Sequence, residues 1–138
     1  MSDTTRNFTH YRVGLHNVGS YMVSGVPWIT GSETMAKNTE KHIEFPFVTN
    51  NFTVVNHTGE IIRVHFNSVD DGYVLTGFHY VELDSDNASH EFNVKCKEVY
   101  ISAPNTGSAR KFRVIASLTQ IPVEAMFSIT GSGLTDAP

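Results

Sequence analysis

The stretch EFNVKCKEVYIS, Glu91 to Ser102, decides the fold. Its apolar residues fall on even numbers at Phe92, Val94 and Cys96, then on odd numbers at Val99 and Ile101. Side chains alternate across a strand, so a shift of one residue turns the whole apolar set to the opposite face. One flat strand cannot carry both halves. The chain must break or bulge near Lys97-Glu98, then bend to a second sheet or start a new strand.

Outward from that stretch, period-two alternation continues. Ile43, Phe45 and Phe47 share one face, with His42 and Glu44 opposite. Phe52 and Val54 follow. Ile62, Val64 and Phe66 read as inward, Arg63 and His65 as outward. Phe78 and Tyr80 make a further run. Phe112, Val114, Ala116 and Leu118 alternate with polar residues, and Ile121, Val123, Phe127 and Ile129 close the series. Turn signals separate these runs at Asn50-Asn51, His57-Thr58-Gly59, Asp70-Asp71-Gly72, Asp84 to Asn87, Pro104 to Ser108 and Gly131-Ser132-Gly133. The best helical window, Ser32 to Lys41, has only Met35 and Ala36 as apolar members and reads as strand or loop. The pattern predicts an all-β chain, a β-sandwich or jelly roll of about seven to eight antiparallel strands.

Composition agrees. The 138 residues suffice for one domain with a real core. Charged residues are only 17%, while Ser, Thr and Asn make 36 positions, accompanied by nine Phe and five Tyr. That mixture suits strands and turns rather than helices or disorder. The net charge of −4, with Arg110-Lys111-Phe112-Arg113 as the longest basic run, offers no stripe for nucleic-acid phosphates. No apolar stretch is long enough for a membrane span. The polar start, Met1 to Arg6, lacks the apolar region of a signal peptide. A single cysteine, Cys96, excludes an internal disulfide. These features predict synthesis in the cytoplasm.

Residues 1–31 differ from the rest and read as an N-terminal arm or first edge strands, with 32–138 as the sandwich. Gly19, Gly25 and Gly31 recur six apart, around Tyr21, Val23, Val26, Pro27 and the sole tryptophan, Trp28. Glycine marks close backbone approach, and proline keeps a strand at an edge. An extended arm laid on another surface and an irregular first strand of the sandwich both fit.

Chemistry is hard to find. The seven histidines, His10, His16, His42, His57, His65, His79 and His90, contain no H-x-H pair of the kind that places two ligands on one strand face. His57 and His65 could pair only across a hairpin of undetermined register. Cys96 points inward between Lys95 and Lys97, as a small core hydrophobe. No serine lies in a nucleophile elbow. Asp84-Ser85-Asp86-Asn87 resembles a calcium loop but lacks its central glycine and terminal glutamate. The sequons at Asn7, Asn51, Asn56 and Asn87 read as compositional. No catalytic, metal or cofactor residues are assigned, and the expected class is not an enzyme.

Three segments carry a resemblance. They are Val18-Gly19-Ser20-Tyr21-Met22-Val23-Ser24-Gly25-Val26-Pro27-Trp28, then Ile43-Glu44-Phe45-Pro46-Phe47-Val48-Thr49, then Ile62-Arg63-Val64-His65-Phe66, with Ile121-Pro122 near the end. In this order they are similar to small virion structural proteins of tailed, often marine, bacteriophages. The resemblance implies a capsid decoration (cement) protein on the outside of the virion, bound to the major capsid protein and most often trimeric. It makes Tyr21, Val23, Val26, Pro27 and Trp28 the candidate interaction residues. A tail, neck or fibre component of the virion is the second expectation. A carbohydrate-binding sandwich is the third, with Trp28, Tyr21, Tyr73 and Tyr80 as a stacking platform; a decoration protein can itself bind glycans weakly.

Overall fold

The computed structural model describes residues 25–69 and 73–127. Among the described residues eight strands run in chain order: β1 (Val26–Met35), β2 (Glu40–Glu44), β3 (Phe47–Asn56), β4 (Ile62–His65), β5 (Val81–Leu83), β6 (Ser89–Phe92), β7 (Glu98–Ser102) and β8 (Arg110–Pro122). One helical turn, Tyr73–Thr76, interrupts the β4–β5 connection, and a 3-10 turn, Val123–Ala125, follows β8.

The first sheet has the order β1-β8-β3-β6 and the second β2-β7-β4-β5. Pairs β1:β8, β2:β7, β3:β6 and β4:β5 are all antiparallel. Strands β1 to β4 therefore lie along β8 to β5 as one long ribbon. Rolling that ribbon adds the pairings β3:β8 and β4:β7. This is the jelly roll, in which consecutive strands alternate between sheets except at the β4:β5 hairpin.

The parity change first read in Glu91–Ser102 is the clearest of these sheet changes. β6 ends at Phe92 in the first sheet and β7 begins at Glu98 in the second. Residues 93–97 cross between them. Thr49 on β3 clamps this crossing: its hydroxyl donates to Val94 O at 2.9 Å and accepts from the Cys96 N–H at 3.2 Å, and its N–H donates to Cys96 O at 2.9 Å. Thus Cys96 is buried, but Val94, expected inward, is half out in solvent because regular strand geometry stops before it.

Inner faces of both sheets meet in one core. Phe52, Val54, Phe112, Val114, Ala116 and Leu118 come from the first sheet, and Ile43, Ile62, Val64, Val99 and Ile101 from the second. Phe52 is its aromatic centre, stacked on Phe92 at 4.8 Å between centroids, tilted against Phe45 and edge-on to Phe66.

Several expected positions move. A second parity change occurs at Pro46, between β2 and β3, so Phe47 is exposed and Val48 is buried in its place. Proline supplies no N–H and restricts the residue before it, which ends the β2 ladder there. Phe78 and Tyr80 form no strand: Phe78 sits in a left-handed turn with φ 59° and is 77% exposed. Beyond β8, Met126 is buried and Phe127 exposed, because the 3-10 turn breaks the period of two. Ile129 lies outside the described residues.

Strand β1 occupies Val26–Met35 without a break at residue 31, as the edge of the first sheet. At Gly31 an added Cβ would stand 2.4 Å from Phe112 O, so this glycine does permit close approach of β1 to β8. A truncation that spares the sheet must therefore end before Gly25.

Candidate functional site

Three strands place a row of polar side chains on the outer face of the second sheet. Glu40, Ser102 and Arg63 are aligned across β2, β7 and β4, and His42, Tyr100 and His65 form the adjacent row. Glu44 and Glu98 are aligned at the end of β2. The rings of His42 and Tyr100 stack at 4.4 Å between centroids, and those of Tyr100 and His65 at 6.1 Å, both within 5° of parallel.

His65 was expected to face solvent. It lies on the outer face, yet it is buried, because residues 67–69 after β4 turn back over the sheet, where Asn67 O meets its ring and Ser68 and Val69 reach Glu40. Glu40 ties that roof down: its carboxylate accepts from the Ser68 hydroxyl at 2.9 Å and from the Val69 N–H at 2.8 Å. Between roof and sheet lies a cleft of about 660 Å³, lined by Asn38, Glu40, Arg63, Leu75, Ser102 and Asn105 among others.

At its floor, Ser102 Oγ is 2.8 Å from His65 Nε2, and His65 Nδ1 is 2.7 Å from Asn67 O. A carbonyl only accepts, so Nδ1 carries the proton and the serine hydroxyl donates to Nε2. This is the order of a nucleophile, a base and an orienting acceptor. Acyl transfer also needs donors free to hold an oxyanion beside the hydroxyl. The neighbouring Ala103 N–H is committed to Thr39 O at 2.9 Å. Both side chains are buried. The pair works as a polar tie between β4, β7 and the roof.

Burial holds the His65 imidazole below its ordinary value, outweighing the opposing hydrogen bond to Asn67 and the Glu40 charge. The unfolded chain therefore takes up this proton first as pH falls below the ordinary histidine value of about 6.5. Stability from this group is complete above that value and is lost on acidification, by at most about 1.4 kcal/mol per pH unit, until the folded-state value is reached. Urea titrations at about pH 7 and about pH 5 should show a smaller acid loss for His65→Gln than for the parent chain. Equal losses would remove His65 as the cause.

Burial pushes the Cys96 thiol up to about 11, which keeps it neutral and unreactive. The basic run is divided by the pleat: Arg110 and Phe112 are buried, whereas Lys111 and Arg113 face outward. Arg110 donates from Nε to Ile61 O at 3.0 Å and from Nη1 to Ser108 O at 2.8 Å. Of the proposed interaction residues, Val26 and Pro27 are exposed on β1, and Trp28 is half-buried, edge-on to Phe45 at 5.3 Å between centroids. Tyr21 and Val23 lie outside the described residues. Trp28 and Tyr80 share no face: Tyr80 stands by the second sheet with the Arg63 guanidinium over its ring at 4.8 Å.

One group was missed. His42, Glu44 and Glu98 bring three metal-capable atoms within 4.8 Å of one another. The local signal was His42-Ile43-Glu44, an H-x-E spacing that puts imidazole and carboxylate on one strand face; a search for H-x-H passes over it. Glu98 joins only through the β2:β7 register.

The four sheet edges are unequal. β2 carries Glu40, Lys41, His42 and Glu44, β6 carries His90 and Glu91, and β5 has only three residues. Charge and brevity both deter edge-to-edge pairing. β1 is ten residues long, and its first seven, VPWITGS, have no charge. Val26 and Ile29 on it are 56% and 63% exposed, and Ile115, the partner of Ile29 on β8, is 39% exposed.

No protein-family model, no curated protein and no solved structure matches the chain.

Proposed function

We propose that this chain is a virion structural protein, a decoration protein that seats on the outer capsid lattice through the β1 edge. The observation that carries the reading is the asymmetry of the edges. Three are short or charged, while among the described residues no strand pairs with the outer side of β1, whose first seven residues carry no charge and whose Val26 and Ile29 are exposed. Pro27 and the register shift after Ser32 guard parts of this edge, and a soluble monomer ordinarily keeps exposed apolar side chains off the rest. An assembly protein covers it, since an added strand supplies backbone hydrogen bonds and the alternate side chains supply specificity. The partners on this reading are the major capsid protein and further copies of the chain, as a trimer.

Two further features support it. The order of motifs from Val18 to Phe66 resembles small phage virion proteins, and the jelly roll is shared by viral capsid and lectin domains. Fold alone does not carry function. The outer polar face, with Ser102–His65 used as a tie, requires no reaction chemistry.

The test is occupancy of particles. Val26→Lys with Ile29→Lys places charge on the open edge and should leave the thermal midpoint of the isolated protein nearly unchanged, since exposed substitutions usually cost within about 0.5 kcal/mol. Incorporation into virions, read from purified particles by mass spectrometry and reconstruction, should be lost. Full occupancy by the double variant would reject the edge as the seat, and absence of the chain from the shell density would reject the decoration role. A few copies at one vertex would assign it to the tail or neck instead.

A further inference from the structure

We infer that His42, Glu44 and Glu98 form a binding site for a first-row divalent transition ion, on the outer face of the second sheet where edge strand β2 meets β7. This site is independent of the proposed β1 contact.

The geometry begins with the pleat. His42 and Glu44 are two residues apart on β2, so both project from one face. The β2:β7 register sets Glu44 directly opposite Glu98 and His42 opposite Tyr100. Two carboxylates directly opposed across a ladder repel, which destabilises the pair of strands unless a positive group joins them. His42 Nε2 stands 2.6 Å from Glu98 Oε1, and all three donor atoms lie within 4.8 Å of one another. A carboxylate only accepts, so Nε2 carries a proton in this contact. That proton marks where an ion can sit.

The donor set selects the ion. One imidazole nitrogen and two carboxylate oxygens suit Zn²⁺ and its neighbours, whereas Mg²⁺ and Ca²⁺ take oxygen ligands alone. Zinc bonds of about 2.0–2.2 Å place tetrahedral donors roughly 3.3 Å apart. The carboxylates are on the surface and can reach that spacing by side-chain rotation. The imidazole needs no ordering, because it already lies flat on the Tyr100 ring at 4.4 Å and 5°. Water completes the fourth position. The ion takes the Nε2 lone pair of the neutral imidazole, whose proton then sits on Nδ1, and it converts a repulsive carboxylate pair into a clamp between β2 and β7.

Protons compete with metal for such ligands, so calorimetric titration of the full chain with ZnCl₂ at about pH 7.5 tests this. The parent chain should bind one more equivalent than His42→Ala and one more than Glu44→Gln/Glu98→Gln. The double variant keeps all seven histidines, so its missing equivalent belongs to the carboxylates. Excess MgCl₂ should not displace that equivalent. Zn²⁺ should also raise the thermal midpoint of the parent chain more than that of either variant. Should the double variant melt early without metal, Glu44→Gln alone makes the comparison, because Glu44 takes no part in the His42–Glu98 contact. Identical stoichiometry and affinity in parent and variants would overturn the site and assign the bound ion to other histidines.

Discussion

Phe52→Ala should lower the unfolding free energy by about 3–5 kcal/mol, the usual loss for a buried phenylalanine whose cavity cannot collapse. Phe52 is fully buried on β3, a central strand of the first sheet. Its ring touches aromatic neighbours from three directions: Phe92 stacks on it, Phe45 leans against it and Phe66 meets it edge-on. Those rings come from different segments, and each is held by its own strand or turn, so none can move in to fill the space. A domain of this size has a total stability of about 5–15 kcal/mol, so the variant should be marginal at room temperature. Urea denaturation followed by fluorescence and circular dichroism measures the loss. Phe78→Ala is the matched control. Phe78 is 77% exposed, and its removal should cost no more than about 0.5 kcal/mol. A Phe52→Ala loss below about 2 kcal/mol would mean that the aromatic cluster repacks around the gap.

The second large effect concerns a polar residue. Asn56→Ala should cost about 3 kcal/mol, because it leaves several polar groups without partners at once. Asn56 is completely buried at the end of β3. Its Nδ2 donates to Glu60 O at 2.7 Å and to Leu83 O at 2.9 Å, and its Oδ1 accepts from the Thr58 N–H at 2.9 Å and hydroxyl at 3.0 Å. Its N–H donates to Ala88 O, and its carbonyl accepts from the Asn87 N–H. One side chain thereby joins the first sheet, the β3–β4 turn and β5 of the second sheet. Asn56→Asp separates the contributions: it keeps the Thr58 bonds but sets a carboxylate against two carbonyls, and it should be at least as damaging. A loss below about 1 kcal/mol for the alanine variant would show that water replaces these bonds. The same burial disposes of a sequence motif. Asn56-His57-Thr58 is a sequon by composition, yet its amide is spent on the fold and is inaccessible to a glycan.

These two residues show what a linear reading can and cannot recover. Phe52 was legible as core, since alternation in a strand is a local property and Val54 shares its parity. Asn56 was not, since its partners lie in other turns and strands. Likewise Cys96 was correctly read as interior from Lys95 and Lys97, whereas Arg110 was read as part of a basic run and is buried. Its neighbour Phe112 carries the same parity, which is the signal that was available.

The outer face of the second sheet makes the point for the candidate site. His42, Glu44, Arg63 and His65 were all placed opposite the apolar set, and the structure keeps them there. Burial of His65 comes from the return of residues 67–69 over the sheet, and the meeting of His42 and Glu44 with Glu98 comes from strand register. Neither is encoded in nearby residues.

By itself, the sequence determined the fold class, the approximate number of strands, most inward faces and the break before Glu98. All of these follow from the pleat and from turn chemistry, which act over a few residues. Only the tertiary structure decided that β1 meets β8, β2 meets β7, β3 meets β6 and β4 meets β5, and so which edge is left open and which carboxylates are opposed. Those pairings are long-range, and the gain that selects among them is the joint burial of two sheet faces, which no single strand contains.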